Sequence, residues 1–354
     1  MSQALNANQH KAKKQKQDEF YTQLSDIERE LVHYKKYFKN KTVCCNCDDP
    51  RVSNFFHYFS YNFEKLKLKK LLSTCYKNQN IDLFSSNDSE KAIYLEYNGD
   101  KNDNRIPDIK EIGIKYLNGD GDFRSDESIN LLKQSDIVIT NPPFSIFREY
   151  IGQLMEHKKK FLIIGNKGAV GYKDIFKWIK NNKLWIGNTP MGADMLFGVP
   201  EEISKKLIQE GKQGSKYKIV NGKVMARAPV AWFTNMDIKK RHEDLLLYKK
   251  YSPDEFPKYV NYDAIEVSKT QDIPLDYKGK MGVPLTFLDK YNPEQFEIIG
   301  MANDKREIND ALVQGEEVYL DDQHKKFVGM VLKKGKKLVA TYTRIIIRHK
   351  KLKK

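Results

Sequence analysis

Short apolar runs rich in β-branched residues alternate along the first two thirds of the chain with amphipathic segments of helical period. Runs of this length predict buried strands, and the amphipathic segments between them predict helices. The predicted strands cover residues 42–47, the end of 68–76, 114–117, 137–139, 161–164, 184–186 and 230–234. Residues 78–110 are polar and predict a surface insertion with a small hairpin around 94–97. The alternation of strand and helix predicts an α/β fold with a doubly wound sheet.

The chain carries a net charge of +15 over 354 residues, and this surplus is unevenly distributed. Between Lys325 and Lys354 a dozen lysines and arginines occur without one acidic residue. Such a basic surplus favours a polyanionic partner. No apolar run approaches the roughly 20 residues of a membrane span, and the N-terminal residues lack the apolar stretch of a signal peptide. We therefore expect a soluble, cytoplasmic protein without membrane contact.

Four cysteines raise the question of a metal site or a disulfide. They are Cys44, Cys45, Cys47 and Cys75. Cys45 and Cys47 are too closely spaced for a usual zinc knuckle, and no Cys-x-x-Cys pair or nearby histidine completes a site. We predict free thiols buried in strands, with no metal and no disulfide.

The most informative stretch directly follows the predicted strand at residues 137–139. It reads Asn-Pro-Pro-Phe, at Asn141, Pro142, Pro143 and Phe144. The two prolines end a strand ladder, fix the backbone and leave carbonyl acceptors pointing in one direction. An exocyclic amine on a planar base could donate to the Asn141 side-chain oxygen and the Pro142 carbonyl, while Phe144 stacks on the base. The simpler alternative is a strand-ending turn with a buried aromatic residue.

The context of this loop favours a binding site over a simple turn. An amphipathic helical pattern follows the loop, with apolar residues at Phe147, Tyr150, Ile151 and Leu154. In open α/β sheets, ligands bind at loops that follow the carboxyl ends of strands. We therefore interpret residues 141–144 as part of an active site.

Three further segments place aromatic or acidic residues close to predicted strands and helices. They are Phe20, Tyr21 and Thr22; Asp48, Asp49 and Pro50; and Asp120, Asp122 and Phe123. Taken alone, each is more often part of a core or a solvated turn. Together with Asn-Pro-Pro-Phe, they resemble the EcoRI-type adenine-specific DNA methyltransferases, which are the modification enzymes of type II restriction systems. The resemblance covers about residues 11–296.

This resemblance implies a Rossmann-like methyltransferase sheet that binds S-adenosylmethionine. It implies methyl transfer to N6 of an adenine flipped out of duplex DNA, with residues 141–144 as the catalytic loop. The other three segments are then expected to bind the cofactor. Asp122, with Asp120 as the alternative, would accept the cofactor's adenine amine, and the ring of Phe123 would pack nearby. Neither a cysteine nucleophile nor a metal is required.

The chain departs from the general methyltransferase pattern at two positions. A glycine-rich turn usually follows the first strand, whereas this chain has the acidic segment that begins at Asp48. The acidic residue that commonly holds the ribose is missing, because residues 75–77 read Cys-Tyr-Lys. Methylation of cytosine N4, RNA or a protein glutamine remains an alternative. So does a DNA-binding protein of the same fold that has lost catalysis.

These expectations divide the chain into three regions. Residues 1–17 form a mobile N-terminal segment, 18–236 the catalytic domain that binds S-adenosylmethionine, and 237–354 the DNA target-recognition region. In the last region we expect the lysines at 333, 334, 336 and 337 to contact phosphate. We expect a monomer acting on double-stranded DNA, with a restriction endonuclease in the same system but not bound to it. The resemblance suggests a GAATTC-like site, which the residues themselves do not reveal.

Overall fold

A computed structural model shows how the predicted strands and helices are arranged. It describes residues 21–47, 53–75, 92–104, 107, 111–193, 195–198, 208, 217–220, 222–302, 330–335 and 337–351. The chain divides into two compact units. Unit 1 contains the residues up to Lys167 and Ala193–Met236, and unit 2 contains Gly168–Gly192 and the residues from Asp237 onward.

The regular elements are named here in chain order. The helices are α1 (Leu24–Leu31), α2 (Asn54–Tyr61), α3 (Phe63–Leu66), α4 (Asp126–Gln134), α5 (Phe147–Glu156) and α6 (Lys173–Lys180). Short 3-10 helices lie at Val32–Tyr37, Lys167–Gly171, Lys239–His242, Thr270–Asp272 and Leu285–Lys290. The strands are β1 (Tyr21–Thr22), β2 (Thr42–Asn46), β3 (Lys70–Thr74), β4 (Ile93–Tyr97), β5 (Gly113–Tyr116), β6 (Ile137–Thr140), β7 (Lys160–Asn166), β8 (Trp185–Ile186), β9 (Met195–Gly198), β10 (Tyr217–Val220), β11 (Lys223–Ala228), β12 (Val230–Thr234), β13 (Ile265–Glu266), β14 (Met281–Pro284), β15 (Phe296–Ala302), β16 (Val331–Lys334), β17 (Lys337–Ala340) and β18 (Arg344–His349).

Unit 1 is a mixed α/β structure built on a large sheet. Its strands lie in the order β5-β4-β3-β2-β6-β7-β12. The central strands β3, β2, β6 and β7 run parallel, whereas β4 and β5 on one side and β12 on the other are antiparallel. The apolar runs of β2, β6 and β7 are buried along almost their whole length, as expected for parallel strands covered on both faces.

The strand order reverses between β2 and β6. The chain passes from β2 through α2 to β3 on one side, and later enters β6 on the other side of β2. The Ser53 hydroxyl starts α2 by accepting from the amide of Phe56 at 3.5 Å. In open α/β sheets, such a reversal leaves a crevice at the carboxyl ends of the two strands. The loop after β6 begins at this crevice.

The strand predicted at residues 114–117 is present as β5, but its position in the sheet differs from the expected one. Residues 114–117 were expected to form the third strand of the doubly wound sheet, but β5 is an outer strand paired antiparallel with β4. Ile114 and Tyr116 are exposed there. The prediction was wrong because a short apolar run does not distinguish an interior strand from the second strand of a hairpin. The hairpin expected around 94–97 within residues 78–110 was also wrong. Residues 93–97 form one strand, β4, which pairs antiparallel with β3 and with β5, and β5 lies outside that range.

Unit 1 also contains a smaller sheet in the order β1-β9-β11-β10, with antiparallel pairing throughout. Unit 2 contains the sheet β13-β14-β18-β15 and the separate two-stranded ribbon β16-β17. The apolar run Ile345–Ile347 of β18 is fully buried in this unit. None of the helices in the described ranges is long and apolar enough to cross a bilayer.

The two units do not follow the chain strictly. The expected division between residues 236 and 237 coincides with one boundary between the units, but Gly168–Gly192 also belongs to unit 2. The expected mobile segment at residues 1–17 lies outside the described residues. Cys44 and Cys45 are buried in β2, as predicted, and burial raises the pKa of the Cys44 thiol to about 12. For Cys47 and Cys75 the prediction was wrong, because they are half-buried and lie just beyond the ends of β2 and β3.

Candidate active site

The loop after β6 combines a buried acceptor with an exposed aromatic ring. Pro142 is buried, and the side-chain oxygen of the half-buried Asn141 is also buried. The Ile146 amide donates to the Pro143 carbonyl at 3.1 Å, and this turn leads into α5. Phe144 is 37% exposed. The turn of the simpler alternative is therefore present, but its aromatic residue is exposed and not buried.

Two side chains connect this loop to the end of β2. The Thr140 hydroxyl donates to the backbone carbonyl of Asn46, and the Tyr150 hydroxyl donates to the Asn46 side-chain oxygen. Tyr150 is fully buried, and this burial raises its pKa well above the ordinary value. Its hydroxyl therefore stays protonated and acts as a donor. The ends of β2 and β6 and the first turns of α5 are held together by these bonds.

The predicted cofactor loop at residues 119–123 packs against the same region. Gly121 has φ +78°, and a side chain there would collide with the carbonyl oxygen of Cys75, just after β3. Phe123 is buried edge-on against Tyr150, with ring centroids 5.3 Å apart. The Gln153 side chain donates to the Phe123 carbonyl at 3.0 Å. The loop is thus held at the carboxyl ends of the central strands.

Asp122 and Asp120 have different surroundings. Asp122 Oδ1 accepts from the amide and Nε of Arg124, both at 2.8 Å, and Oδ2 accepts from the guanidinium at 2.6 Å. Hydrogen bonding from Arg124 holds the pKa of Asp122 below its usual value. Asp120 is exposed, and its Oδ1 accepts from the Asp122 amide at 2.9 Å. Sequence reasoning missed Arg124, although the spacing Asp-Phe-Arg could have indicated the pair.

The N-terminal segment reaches the start of α2. The Thr22 carbonyl accepts from the Asn54 side chain at 2.7 Å. Thr22 is buried, and its hydroxyl has no hydrogen-bond partner among the described residues. For Tyr21 the structure describes the backbone in β1. The remaining predicted cofactor residues, Phe20, Asp48, Asp49 and Pro50, lie outside the described residues.

The structure therefore brings the described parts of the predicted site to one end of one sheet. Thr22 lies at the start of the helix that follows β2, the Asp120–Phe123 loop lies at the end of β3, and the Asn141 loop follows β6. An α/β sheet that carries Asn-Pro-Pro-Phe after a central strand is typical of amino methyltransferases. Comparison with known proteins identifies the family within this class.

A family model described as adenine-specific methyltransferase EcoRI matches residues 8–350. The chain belongs to this family. The resemblance inferred from the sequence motifs is confirmed, and it extends beyond residues 11–296 into the C-terminal part.

Individual relatives agree with the family match. The chain is 50% identical over 301 residues to the type II methyltransferase M.EcoRI of Escherichia coli, covering 84% of this chain and 89% of that protein. It is 41% identical over 295 residues to the type II methyltransferase M.MgeORF184P of Mycoplasma genitalium, covering 82% and 84%. It is also 41% identical over 296 residues to the type II methyltransferase M.MpnI of Mycoplasma pneumoniae, with the same coverage. No solved structure matches the chain significantly.

Proposed function

We propose that this protein transfers a methyl group from S-adenosylmethionine to N6 of one adenine in a specific duplex DNA site. Membership of a family of adenine-specific methyltransferases supports the reaction, and the names of the relatives support a role in a type II restriction-modification system. The observation that carries the proposal for the site is the loop Asn141–Phe144. Its buried amide oxygen and exposed ring suit a base that donates from an amine.

The sheet topology supports a Rossmann-like, doubly wound arrangement for the catalytic part of the chain. Parallel strands β3-β2-β6-β7 with the crossover helices α2 and α5 are the repeating units of such a fold. The reversal between β2 and β6 supports a cofactor crevice at their carboxyl ends. The antiparallel β4-β5 hairpin extends the sheet on one side of these strands.

The described residues fit S-adenosylmethionine at this crevice. The buried Thr22 hydroxyl would gain a hydrogen-bond partner, and an unsatisfied buried group costs about 1–3 kcal/mol. Asp122 is ionised, and a carboxylate can accept about four hydrogen bonds, so Oδ2 can still accept an adenine amine beside Arg124. Phe123 would pack against the adenine. When bound, the cofactor supplies an electrophilic methyl group on a sulfonium centre.

The loop after β6 would position the target amine. An adenine stacked in duplex DNA must first be flipped out of the helix, and Phe144 would stack on the extruded base. The Asn141 side-chain oxygen and the Pro142 carbonyl would accept the two N–H groups and orient the nitrogen lone pair toward the methyl group. The amine can lose its proton after attack, so a dedicated general base is unnecessary. Thr140 and Tyr150 would hold the loop in position.

Target recognition is assigned to the region from Asp237 onward, because the proposed catalytic and cofactor residues all precede it. We also propose that the enzyme acts as a monomer on its duplex. The endonuclease of the same system would recognise the same sequence without binding the methyltransferase.

Asn141→Ala is the first test of this proposal. The variant should lower methyl transfer to DNA by roughly 10²–10³-fold, the usual cost of losing one positioned polar group in an active site. The affinity for S-adenosylmethionine should remain unchanged. The measurement is transfer of labelled methyl from the cofactor to genomic DNA, followed by mapping of N6-methyladenine.

Asn130→Ala provides a matched control, because Asn130 is an exposed asparagine on α4 of the same unit. It should transfer methyl groups at the wild-type rate. Label in cytosine N4 or in RNA would support the alternative substrates instead. Wild-type turnover in Asn141→Ala would remove Asn141 from the proposed mechanism.

A further inference from the structure

The ribbon β16-β17 in unit 2 ends in a basic, exposed tip. Its strands are antiparallel, with Val331 opposite Ala340 and Lys334 opposite Lys337. Gly335, at φ +60°, lies in the turn. Lys333 and Lys334 are exposed and form no ion pair within the described part of the chain. The tip therefore presents positive charge to solvent that no acidic residue in the described ranges neutralises.

The base of the ribbon is fixed to the core of its unit. Val331 is fully buried and Leu332 nearly so, and Leu332 packs in a cluster with Tyr259, Ala264, Ala302, Met330 and Ile346. The Val331 carbonyl accepts from the Val260 amide at 2.9 Å, and the Val331 amide donates to the Asn261 side chain at 3.0 Å. The base of the ribbon is thus packed into the core of unit 2, and its tip is exposed.

Tyr342 follows the ribbon and is 89% exposed, more than any other large apolar side chain among the described residues. Its backbone is nevertheless fixed. The Thr341 amide donates to the Met330 carbonyl at 2.9 Å, and the Arg344 guanidinium donates to the Tyr342 carbonyl at 3.4 Å. Arg344 itself is held by Glu266 at 2.7 Å, with their side chains 11% and 4% exposed. A buried ion pair thus supports an aromatic ring that lies in solvent.

These features together fit a groove of duplex DNA. The whole segment from Lys325 to Lys354 lacks acidic residues, so nothing in it opposes a phosphate backbone. The major groove of B-DNA is about 12 Å wide and admits a two-stranded β-ribbon. Tyrosine offers a flat ring with few rotatable bonds, which loses little entropy when it packs on a partner.

We propose that the β16-β17 ribbon enters the major groove of the target duplex. Lys333 and Lys334 contact phosphates, while the ring of Tyr342 packs against base and sugar edges in the same groove. Phosphate contacts position a protein without reading sequence, so discrimination at this contact comes from the ring. The inference deepens the proposed function and rests on it, since it takes a duplex as the substrate.

The lysines are tested by the salt dependence of DNA binding. The double variant K333Q/K334Q should bind target and random duplexes more weakly by the same factor. The slope of log affinity against log salt should fall by about 0.9 for each lysine that contacts phosphate. K269Q/K290Q removes two exposed lysines of the same unit and should keep the wild-type slope. K333R/K334R retains both charges and should also keep it.

The ring is tested separately, because its contribution carries no charge. Tyr342→Ala should leave the salt slope unchanged and reduce the ratio of target to random affinity by roughly tenfold, as expected for one lost base contact. Tyr342→Phe should keep the ratio, since the ring is retained. The side chain is exposed, so neither variant should affect folding, and circular dichroism would verify this.

The possible failures of this proposal and of the proposed function are distinguishable. If K333Q/K334Q has the same slope as K269Q/K290Q, or Tyr342→Ala has the wild-type affinity ratio, the ribbon is not in the groove. The proposed function stands in that case if the wild-type protein still methylates duplex DNA. If the wild-type protein neither binds nor methylates a duplex, both proposals fail together.

Discussion

Asp120 and Asp122 show how two identical side chains in one loop acquire different chemistry. Arg124 engages both oxygens of Asp122 and lowers its pKa, so this carboxylate is ionised over the working pH range. Asp120 is exposed and caps its own turn by accepting from a backbone amide. An ionised, half-buried carboxylate suits an amine donor better than a solvated one, because competition from water is weaker. Asp122 is therefore the stronger candidate for the cofactor adenine.

Asp122→Ala should weaken S-adenosylmethionine binding measured without DNA. A lost hydrogen bond to a charged group is worth about 1.5–3 kcal/mol, which corresponds to a decrease in affinity of roughly 10–150-fold. Titration calorimetry would measure the change, with Asp120→Ala as the matched control in the same loop. Asp122→Asn retains an acceptor and should lose less. Unchanged binding in Asp122→Ala together with a loss in Asp120→Ala would move the contact to Asp120.

At the scale of elements, α5 connects three parts of the site through Tyr150. Its hydroxyl donates to Asn46 at the end of β2, and its ring packs against Phe123 in the cofactor loop. The helix itself begins three residues after Phe144. A shift of α5 would therefore move the proposed cofactor loop around Phe123 and the loop Asn141–Phe144 together. We propose that Tyr150 acts as a positioning residue in this arrangement.

Tyr150→Phe removes the donor but retains the ring. We expect kcat for methyl transfer to fall by roughly 10–100-fold, since small misplacements of reacting groups have effects of this size. KM for S-adenosylmethionine should change little, because the ring still supports Phe123. Tyr61→Phe, an exposed tyrosine on α2, should behave as wild type. Tyr150→Phe could instead lower the free energy of unfolding while the folded protein keeps the wild-type kcat. In that case the role of Tyr150 would be purely structural.

At the scale of the whole molecule, the two units carry different parts of the proposed function. The described residues that we propose for catalysis and cofactor binding all belong to unit 1, whereas the ribbon and the buried pair Glu266–Arg344 belong to unit 2. A substitution that destabilises only unit 2 should therefore weaken DNA binding and leave cofactor binding intact. The buried ion pair is a suitable position for such a substitution, because removing one partner leaves an uncompensated charge.

Glu266→Gln should destabilise unit 2 by about 3–5 kcal/mol. Denaturation followed by tryptophan fluorescence would detect this, since Trp178 and Trp185 lie in unit 2 and Trp232 in unit 1. Binding of S-adenosylmethionine should persist under conditions in which binding of DNA is lost. Glu297→Gln breaks the exposed pair with Arg348 and should cost less than about 1 kcal/mol. Simultaneous loss of cofactor and DNA binding in Glu266→Gln would contradict this division between the units.

The sequence by itself determined the local elements and the class of reaction. β2, β6, β7 and β12 lie where their apolar runs predicted them, because a short apolar run bounded by polar residues is typical of a buried strand. The segment Asn141–Phe144 indicated the chemistry through its resemblance to a methyltransferase motif, and its prolines restrict the backbone by their covalent structure alone. The family followed from motifs that are contiguous in the chain.

Only the tertiary structure decided which elements meet. The hairpin position of β5, the Tyr150–Asn46 bond and the inclusion of Gly168–Gly192 in unit 2 all depend on contacts between distant residues. Gly165 lies inside β7, where a side chain would collide with the ring of Phe147, a contact that the sequence pattern does not reveal. Local patterns encode whether a residue is buried, and the partner that buries it is set by how the whole chain packs.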